Sequence, residues 1–114
     1  MPEFEDLTMI ELLDNFIEDI NKIQETRSAK LFKTANADLQ KIYNHHLAND
    51  KAFRRVQHNL KNLYTSFNYA AVIVNDALKK RVMDKDNAEL LDECLEVMLR
   101  CCIVIEETLK KKKK

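Results

Sequence analysis

Residues 51–82, KAFRRVQHNLKNLYTSFNYAAVIVNDALKKRV, carry the helical pattern that decides the fold. Apolar residues recur in this stretch at spacings of three and four, which places them on one face of a helix. That face carries Phe53, Val56, Leu60, Leu63, Phe67, Ala71, Val74 and Leu78. No Gly or Pro interrupts the stretch. As a single helix it would be roughly 48 Å long at 1.5 Å per residue.

The second half of this stretch is apolar on more than one face. Between residues 67 and 74 only Asn68 is polar, and Tyr69, Val72 and Ile73 lie opposite the first apolar face. A helix that is apolar on several sides has to be covered on several sides. We therefore expect it to be the long central third helix of a helical bundle.

Composition points to the all-α class. The chain has 114 residues, no Gly, and a single Pro at position 2. Hairpins and bulges use residues that tolerate positive φ, so a β-rich domain without Gly is improbable. We expect one domain over residues 1–109, a compact up-and-down bundle of about four helices, followed by a basic tail at 110–114.

The first helix has the most specific local signal in the chain. Thr8 and Glu11 match a Thr-x-x-Glu capping box, and Leu7 and Leu12 stand where a hydrophobic staple would close over it. The pattern predicts a helix over about residues 9–25.

Two turns are expected around the second helix. The apolar pattern lapses near Ser28, which would serve as N-cap of a helix over about 29–47, although one bent helix through this region is the alternative. Asp50 is the expected N-cap of the third helix. If that helix is broken, the break is expected at residues 65–66, where helix propensity is weak.

The fourth helix should follow a turn at residues 84–87. Asp86 and Glu89 repeat the capping-box pattern at its start. One stripe of this helix is predicted to face the core: Leu91, Leu95, Met98, Cys102, Ile105 and Leu109.

The charges sum to zero but are segregated along the chain. Residues 1–25 hold eight acids and one base, residues 26–85 hold twelve bases and four acids, and residues 86–109 hold seven acids and one base. We expect acidic helices to lie beside basic ones and compensate their charge. The alternative is an exposed basic surface that binds an anionic partner.

The cysteines and the N-terminus bear on the compartment. Cys94, Cys101 and Cys102 are odd in number and do not resemble a disulfide framework, which favours a reducing compartment, the cytoplasm or the nucleus. The N-terminal residues are acidic where a secretory signal would be basic. No apolar run approaches the ~20 residues of a membrane span.

Catalytic and cofactor signatures are weak. Without Gly there is no Gly-rich phosphate loop, and no helix pairs Glu-x-x-His as di-iron bundles do. His45 and His46 point about 100° apart on a helix, with only His46 on the inner side, and His58 lies on an outer face. The cysteines are interpreted as core packing. We expect no enzyme activity, cofactor or metal.

Excess apolar surface is the main functional signal. Tyr69, Val72 and Ile73 on the third helix, with Ile103 and Val104 on the fourth, lie away from the predicted core stripes. These residues predict an adaptor, scaffold or regulatory domain. It would bind a helical peptide or domain of a partner, or a second copy of itself, through apolar helix faces.

A nucleic-acid or anionic-surface binding module is the alternative. Basic residues occur early and late in the third helix, at Arg54, Arg55, Lys61, Lys79, Lys80 and Arg81. The Lys110–Lys114 run would add to such a surface. The sequence pI of about 6.8 is lower than that of dedicated nucleic-acid binders.

Overall fold

Four α-helices account for most of the chain. The computed structural model describes residues 3–111. In chain order the elements are α1 (Phe4–Thr26), α2 (Ala29–Ala48), a 3-10 helix (Asp50–Val56), α3 (Gln57–Lys80) and α4 (Lys85–Lys110). The all-α class and the four-helix bundle are confirmed. Of the predicted basic tail, Lys110 belongs to α4, and residues 112–114 lie outside the described part of the chain.

The helices form two hairpins, α1–α2 and α3–α4, in a bundle 51 Å long and 20 Å across in each other direction. α1 packs along both α2 and α4, and α3 packs along α4. α2 and α3 approach each other at only a few residues. The outer face of α3 is therefore not covered by a neighbouring helix, although the sequence had suggested cover on two sides.

The core runs along the whole bundle. All six residues of the predicted α4 stripe are buried, and so are Leu60 and Leu63 of α3. The Phe67 ring links three helices, because its centroid lies 6.0 Å from that of Phe16 on α1 and 5.0 Å from that of Phe32 on α2. The spacing of three and four places these side chains on inward faces, where their burial stabilises the fold.

The third helix is not continuous over residues 51–82. Its first part is the 3-10 helix, and Phe53 (φ −110°) and Val56 (φ −109°) interrupt regular helical geometry. Residues three apart lie in line along a 3-10 helix, so both side chains reach the core. The break thus falls before Gln57 and not at residues 65–66. Asp50 does not act as a side-chain cap.

In the second half of α3, the residues that are buried also differ from those of the predicted stripe. Ala70 is fully buried, whereas Ala71 and Val74 are half-buried and Leu78 is 57% exposed. The cause is that α3 packs mainly against α4. The side of the stripe that carries Leu78 faces the gap next to α2.

The predicted start of α1 is wrong. The helix begins at Phe4, and Glu3 is its N-cap. Asp6 completes a capping box, in which the Glu3 amide donates a hydrogen bond to Asp6 Oδ2 at 3.4 Å. Thr8 therefore lies inside the helix, and the exposed Leu7 does not form a staple. Glu3 and Asp6 supply the same reciprocal hydrogen bonds five residues earlier.

Both hairpin turns lie at one end of the bundle. Ser28 occupies the N-cap position of α2, but its side chain makes no capping hydrogen bond. Asp84, and not the predicted Asp86, caps α4, because its side chain accepts a hydrogen bond from the Asn87 amide at 2.8 Å. Arg27 (φ 55°) and Arg81 (φ 59°) end α1 and α3 in the left-handed conformation. Because that conformation stops a helix, α1 and α2 are separate helices and not one bent helix.

Acidic side chains meet each other at the two interfaces of α1. Asp19 lies against Asp38 of α2, and burial, followed by the hydrogen bond and repulsion from Asp38, raises the pKa of Asp19 to about 7. Burial and Asp14 of α1 raise the pKa of Glu106 on α4 to about 7. Between residues far apart in the described sequence, only Arg27 and Asp92 form an ion pair, at 2.9 Å. Acidic and basic helices thus lie side by side with little direct pairing.

Leu60 is fully buried, and its replacement tests the core. Leu60→Ala should lower the free energy of unfolding by about 2–5 kcal/mol, because apolar burial is lost and a cavity remains. Leu78→Ala is the matched control on the same helix and should cost less than about 1 kcal/mol, since Leu78 is mostly exposed. Chemical denaturation measures both, and equal losses would contradict the observed orientation of α3.

The pKa of Asp19 predicts a pH dependence of stability. A pKa of about 7, raised from 3.8, means that the folded state binds more protons than the unfolded state between those values. The stability associated with Asp19 is therefore lost as the pH rises towards 7. Asp19→Asn should be about 1–2 kcal/mol more stable than wild type at pH 8, and this gain should shrink steadily towards pH 4.

The exposed neighbour Glu18 supplies the control for this measurement. Glu18→Gln should change the free energy of unfolding by less than about 0.5 kcal/mol at either pH. A gain for Asp19→Asn that is independent of pH would show that the carboxyl pair does not titrate as described.

Candidate functional site

An apolar groove runs between α2 and α3. At its floor the rings of Phe32 and Phe67 stack, with 20° between their planes. At one end Tyr43 and Tyr64 meet edge to face, with centroids 5.3 Å apart. We call this feature the α2–α3 groove. Its walls are Ala29, Phe32, Lys33, Asn36, Gln40 and Tyr43 on α2, and Tyr64, Phe67, Asn68, Ala71, Val74, Asn75 and Leu78 on α3.

The groove exists because small or short polar residues flank the aromatic pairs that meet between α2 and α3. Ala29 and Ala71 are too small to reach across the gap, and Asn36 and Asn68 present short polar side chains. Close packing of two helices needs side chains that interdigitate, and these residues do not provide them.

Three connected cavities make up the groove. One of about 440 Å³ lies next to the hairpin turns, one of about 230 Å³ lies over the Phe32–Phe67 pair, and one of about 210 Å³ lies beside the tyrosines. Neighbouring cavities share lining residues, so the groove is continuous. From Tyr64 to Leu78 it follows about 21 Å of α3, or about four helical turns.

The largest of the three groove cavities, which we call the end cavity, is an apolar space with arginines at its edge. Its apolar walls include Ile23, Met83 and Leu91, and Arg27 and Arg81 contribute from the two hairpin turns. The Arg27 guanidinium donates to Asp92 at 2.9 Å. Arg81 has no ion pair with any residue of the described chain.

The charge of the groove is of one sign. Its three cavities are lined by the cations Arg27, Lys33 and Arg81 and by side-chain amides, without a carboxylate. The groove therefore combines an apolar floor with positively charged margins. Such a surface attracts ligands that carry negative charge beside apolar groups.

A polar bridge fixes the tyrosine end of the groove. The Tyr64 hydroxyl lies 3.0 Å from Nδ1 of His46, which is buried on the inner side of α2 as predicted. Burial raises the pKa of Tyr64 above its ordinary value and lowers the pKa of His46. Both side chains are thus neutral near pH 7, and their contact ties α2 to α3.

The other histidines and the cysteines, which were considered above for metal binding or catalysis, are in structural contacts, buried or exposed to solvent. His45 Nε2 donates to the Glu5 carbonyl oxygen at 2.9 Å, and His58 is exposed. Burial raises the pKa of the thiols of Cys94, Cys101 and Cys102, which keeps them protonated. Within residues 3–111, no group of three or more His, Cys, Asp or Glu side chains is placed to hold a metal ion.

The residues predicted to bind a partner lie on two helices, at two levels of the bundle. Tyr69 and Val72 are each 66% exposed and border a shallow depression, while Ile73 is half-buried. Ile103 and Val104 are exposed on α4. Because α3 and α4 are antiparallel, Val72 and Ile103 lie at levels of the bundle about 15 Å apart, at 1.5 Å per residue.

The basic residues of the alternative function fall into two groups. Arg54 and Arg55 lie in the 3-10 helix, with Lys61 in the following turns of α3, whereas Lys79, Lys80 and Arg81 lie at its other end. The nearest members of the two groups, Lys61 and Lys79, lie about 27 Å apart along α3 at 1.5 Å per residue. Lys80 also pairs with Asp76 at 3.3 Å. They do not line one continuous channel.

Sequence reasoning missed the α2–α3 groove. Ala71, Val74 and Leu78 had been placed on the core face of α3, and no wall residue of α2 was predicted to bind a partner. The available signal was the pattern of Asn36, Gln40, Asn68 and Asn75, which limits the apolar stripes of both helices. That pattern indicates that the apolar stripes of α2 and α3 are narrow. It does not indicate that the edges of the two stripes face each other in the fold.

Comparison of the chain with protein-family models, curated proteins and solved structures finds no match to any of them. In the described range, no helix is long and apolar enough to cross a membrane.

The surface position of Val72 predicts how α3 tolerates charge. Val72→Asp should change the free energy of unfolding by less than about 1 kcal/mol, because the side chain is mostly exposed. Ile73→Asp should cost more than about 1 kcal/mol, since its half-buried carboxylate would lose solvation. Circular dichroism melting of the two single variants measures the difference, and equal melting temperatures would contradict it.

Proposed function

We propose that the chain is a non-enzymatic protein–protein interaction domain, of the adaptor or scaffold kind, that binds an acidic amphipathic helix of a partner protein in the α2–α3 groove. The observation that carries this proposal is the groove itself, with Phe32 and Phe67 at its floor and cations but no carboxylates among the described residues that line it. Helix-in-groove docking is a common way in which helical domains recognise partners.

The dimensions of the groove suit a helix. Its length of about four turns matches a partner segment of about 14 residues at 1.5 Å per residue. Apolar side chains at spacings of three, four and seven on such a segment would fill the successive cavities. The two ring systems of the floor would then be covered from solvent, which provides the apolar contribution to binding.

The positive charge at the margins of the groove favours a partner helix with acidic side chains. Lys33 and Arg81 line opposite walls and lack ion pairs within the described residues, so acidic side chains flanking the apolar stripe of a partner would pair with them. A second copy of this chain is a poorer occupant, because its four described α-helices already bury their main apolar stripes. The apolar floor also favours a protein helix over a nucleic acid, whose phosphates would leave it uncovered.

We place this interaction in the cytoplasm or the nucleus. Cys94, Cys101 and Cys102 are free thiols, and two of them are buried in the core. Free thiols in such numbers are typical of proteins in reducing compartments.

Selection from a display library of 16-residue random peptides tests the proposal. The peptides retained by the protein should have apolar residues at helical spacing, flanked by Asp or Glu. Leu78→Asp should weaken their binding at least tenfold, because it places a carboxylate on the apolar wall. Val72→Asp on the outer face of the same helix is the matched control and should bind like wild type. Fluorescence anisotropy of the synthetic peptides gives the affinities.

Three outcomes would contradict the proposal. Retained peptides without helical periodicity or with net positive charge would exclude an acidic helix as the ligand. Loss of binding in Val72→Asp but not in Leu78→Asp would move the docking surface to the Tyr69–Val72 face. A dimeric mass by light scattering that Leu78→Asp reduces to a monomer would show that a second copy occupies the groove.

A further inference from the structure

The α2–α3 groove is electrically asymmetric along its length. Arg27, Lys33 and Arg81 all lie in the half nearest the hairpin turns. The other half is lined by uncharged side chains, among them Gln40, Tyr43 and Tyr64. Asp50 and Lys61 lie beyond the tyrosines and act on His46 with opposite signs.

Arg81 is the cation at the groove that is most available to a ligand. Arg27 is engaged with Asp92 at 2.9 Å, and the neighbouring Lys80 is engaged with Asp76 at 3.3 Å. Arg81 makes no ion pair in the described chain, and its left-handed backbone (φ 59°) ends α3 beside the end cavity. Lys33, which lines the adjoining cavity on the α2 wall, also has no ion pair with a described residue. A partner helix that spans both cavities would meet two unpaired cations.

The dipoles of the two wall helices do not orient a ligand. α2 and α3 run in opposite directions, so the positive end of one lies beside the negative end of the other and their fields largely cancel. The side-chain charges therefore decide which way a bound helix points. A helix carries about half a negative charge at its C-terminal end, which the cationic half of the groove favours.

We infer that the partner helix binds with its C-terminal turn at the end cavity, where acidic residues of that turn pair with Arg81 and Lys33. This inference rests on the proposed function and adds the direction of the bound helix. The end cavity, about 440 Å³ in volume, takes the last bulky apolar side chain of the helix. The N-terminal turn of the partner lies beside Tyr43 and Tyr64.

Paramagnetic NMR of the full chain measures this direction. The probe is the tightest synthetic peptide from the library selection, made in two forms with a nitroxide at its C-terminus or its N-terminus. The C-terminal label should broaden the amide signals of Ser28 and Arg81, and the N-terminal label should broaden those of Tyr43 and Tyr64. The reverse pattern, or equal broadening at both ends, overturns the inference and leaves the proposed function intact. Broadening away from both ends of the groove, or a selection that yields no helical binder, overturns both.

A charge exchange tests the pairing with Arg81. Arg81→Asp should weaken binding of the same peptide at least fivefold, and Arg81→Asn should weaken it less. Both replacements tolerate left-handed backbone better than most residues, so α3 should still end at this point. A peptide in which Lys replaces the acids of the last turn should regain affinity for Arg81→Asp.

Arg55→Asp in the 3-10 helix is the matched control, because it makes the same charge change at the other end of the bundle. It should leave the affinity unchanged. Equal weakening by Arg55→Asp and Arg81→Asp would show only a general charge effect and would overturn the pairing. Circular dichroism confirms that each variant is folded before its affinity is compared.

Discussion

Two helical hairpins are joined in this protein through the packing of α1 against α4, and the shape of the molecule depends on that contact. α1 also packs along α2, and α4 along α3, so the two central helices hold the other two in place. The buried carboxyl of Glu106 lies in this interface beside Asp14, and its pKa is raised to about 7 mainly by burial. Protonation therefore favours the joined state of the hairpins. The interface combines a continuous apolar core with an acidic pair whose charge depends on pH.

The same arrangement leaves α2 and α3 on one side of the bundle without close packing between them. Only a few contacts cross this gap, among them the stacked rings of Phe32 and Phe67 and the hydrogen bond between Tyr64 and His46. These contacts set the floor and one end of the groove, and small and polar residues leave its walls open. A site of this kind is pre-formed, so a partner helix would bind with little rearrangement of the domain.

The arrangement of the helices determines where the segregated charges of the sequence lie in the molecule. The acidic helices α1 and α4 occupy the joined side, where the buried Glu106 carboxyl lies beside Asp14, and the basic helices α2 and α3 border the groove. Because few ion pairs link the two sides, the cations at the groove keep their capacity for an external carboxylate. Exposed pairs would contribute little to stability in any case, so their absence costs the fold little.

The sequence by itself determined the helical class, the number of helices and much of the core, because apolar spacing and the lack of Gly act locally. It placed Leu60 and the α4 stripe inside, and His46 on the inner side of α2. Periodicity defines the face of a helix but not the neighbour that covers it. Only the tertiary structure decided that Ala70 is buried while Leu78 is exposed, because α3 packs on α4 and not on α2. The groove and the unpaired Arg81 are consequences of this helix packing, which no local sequence pattern predicts.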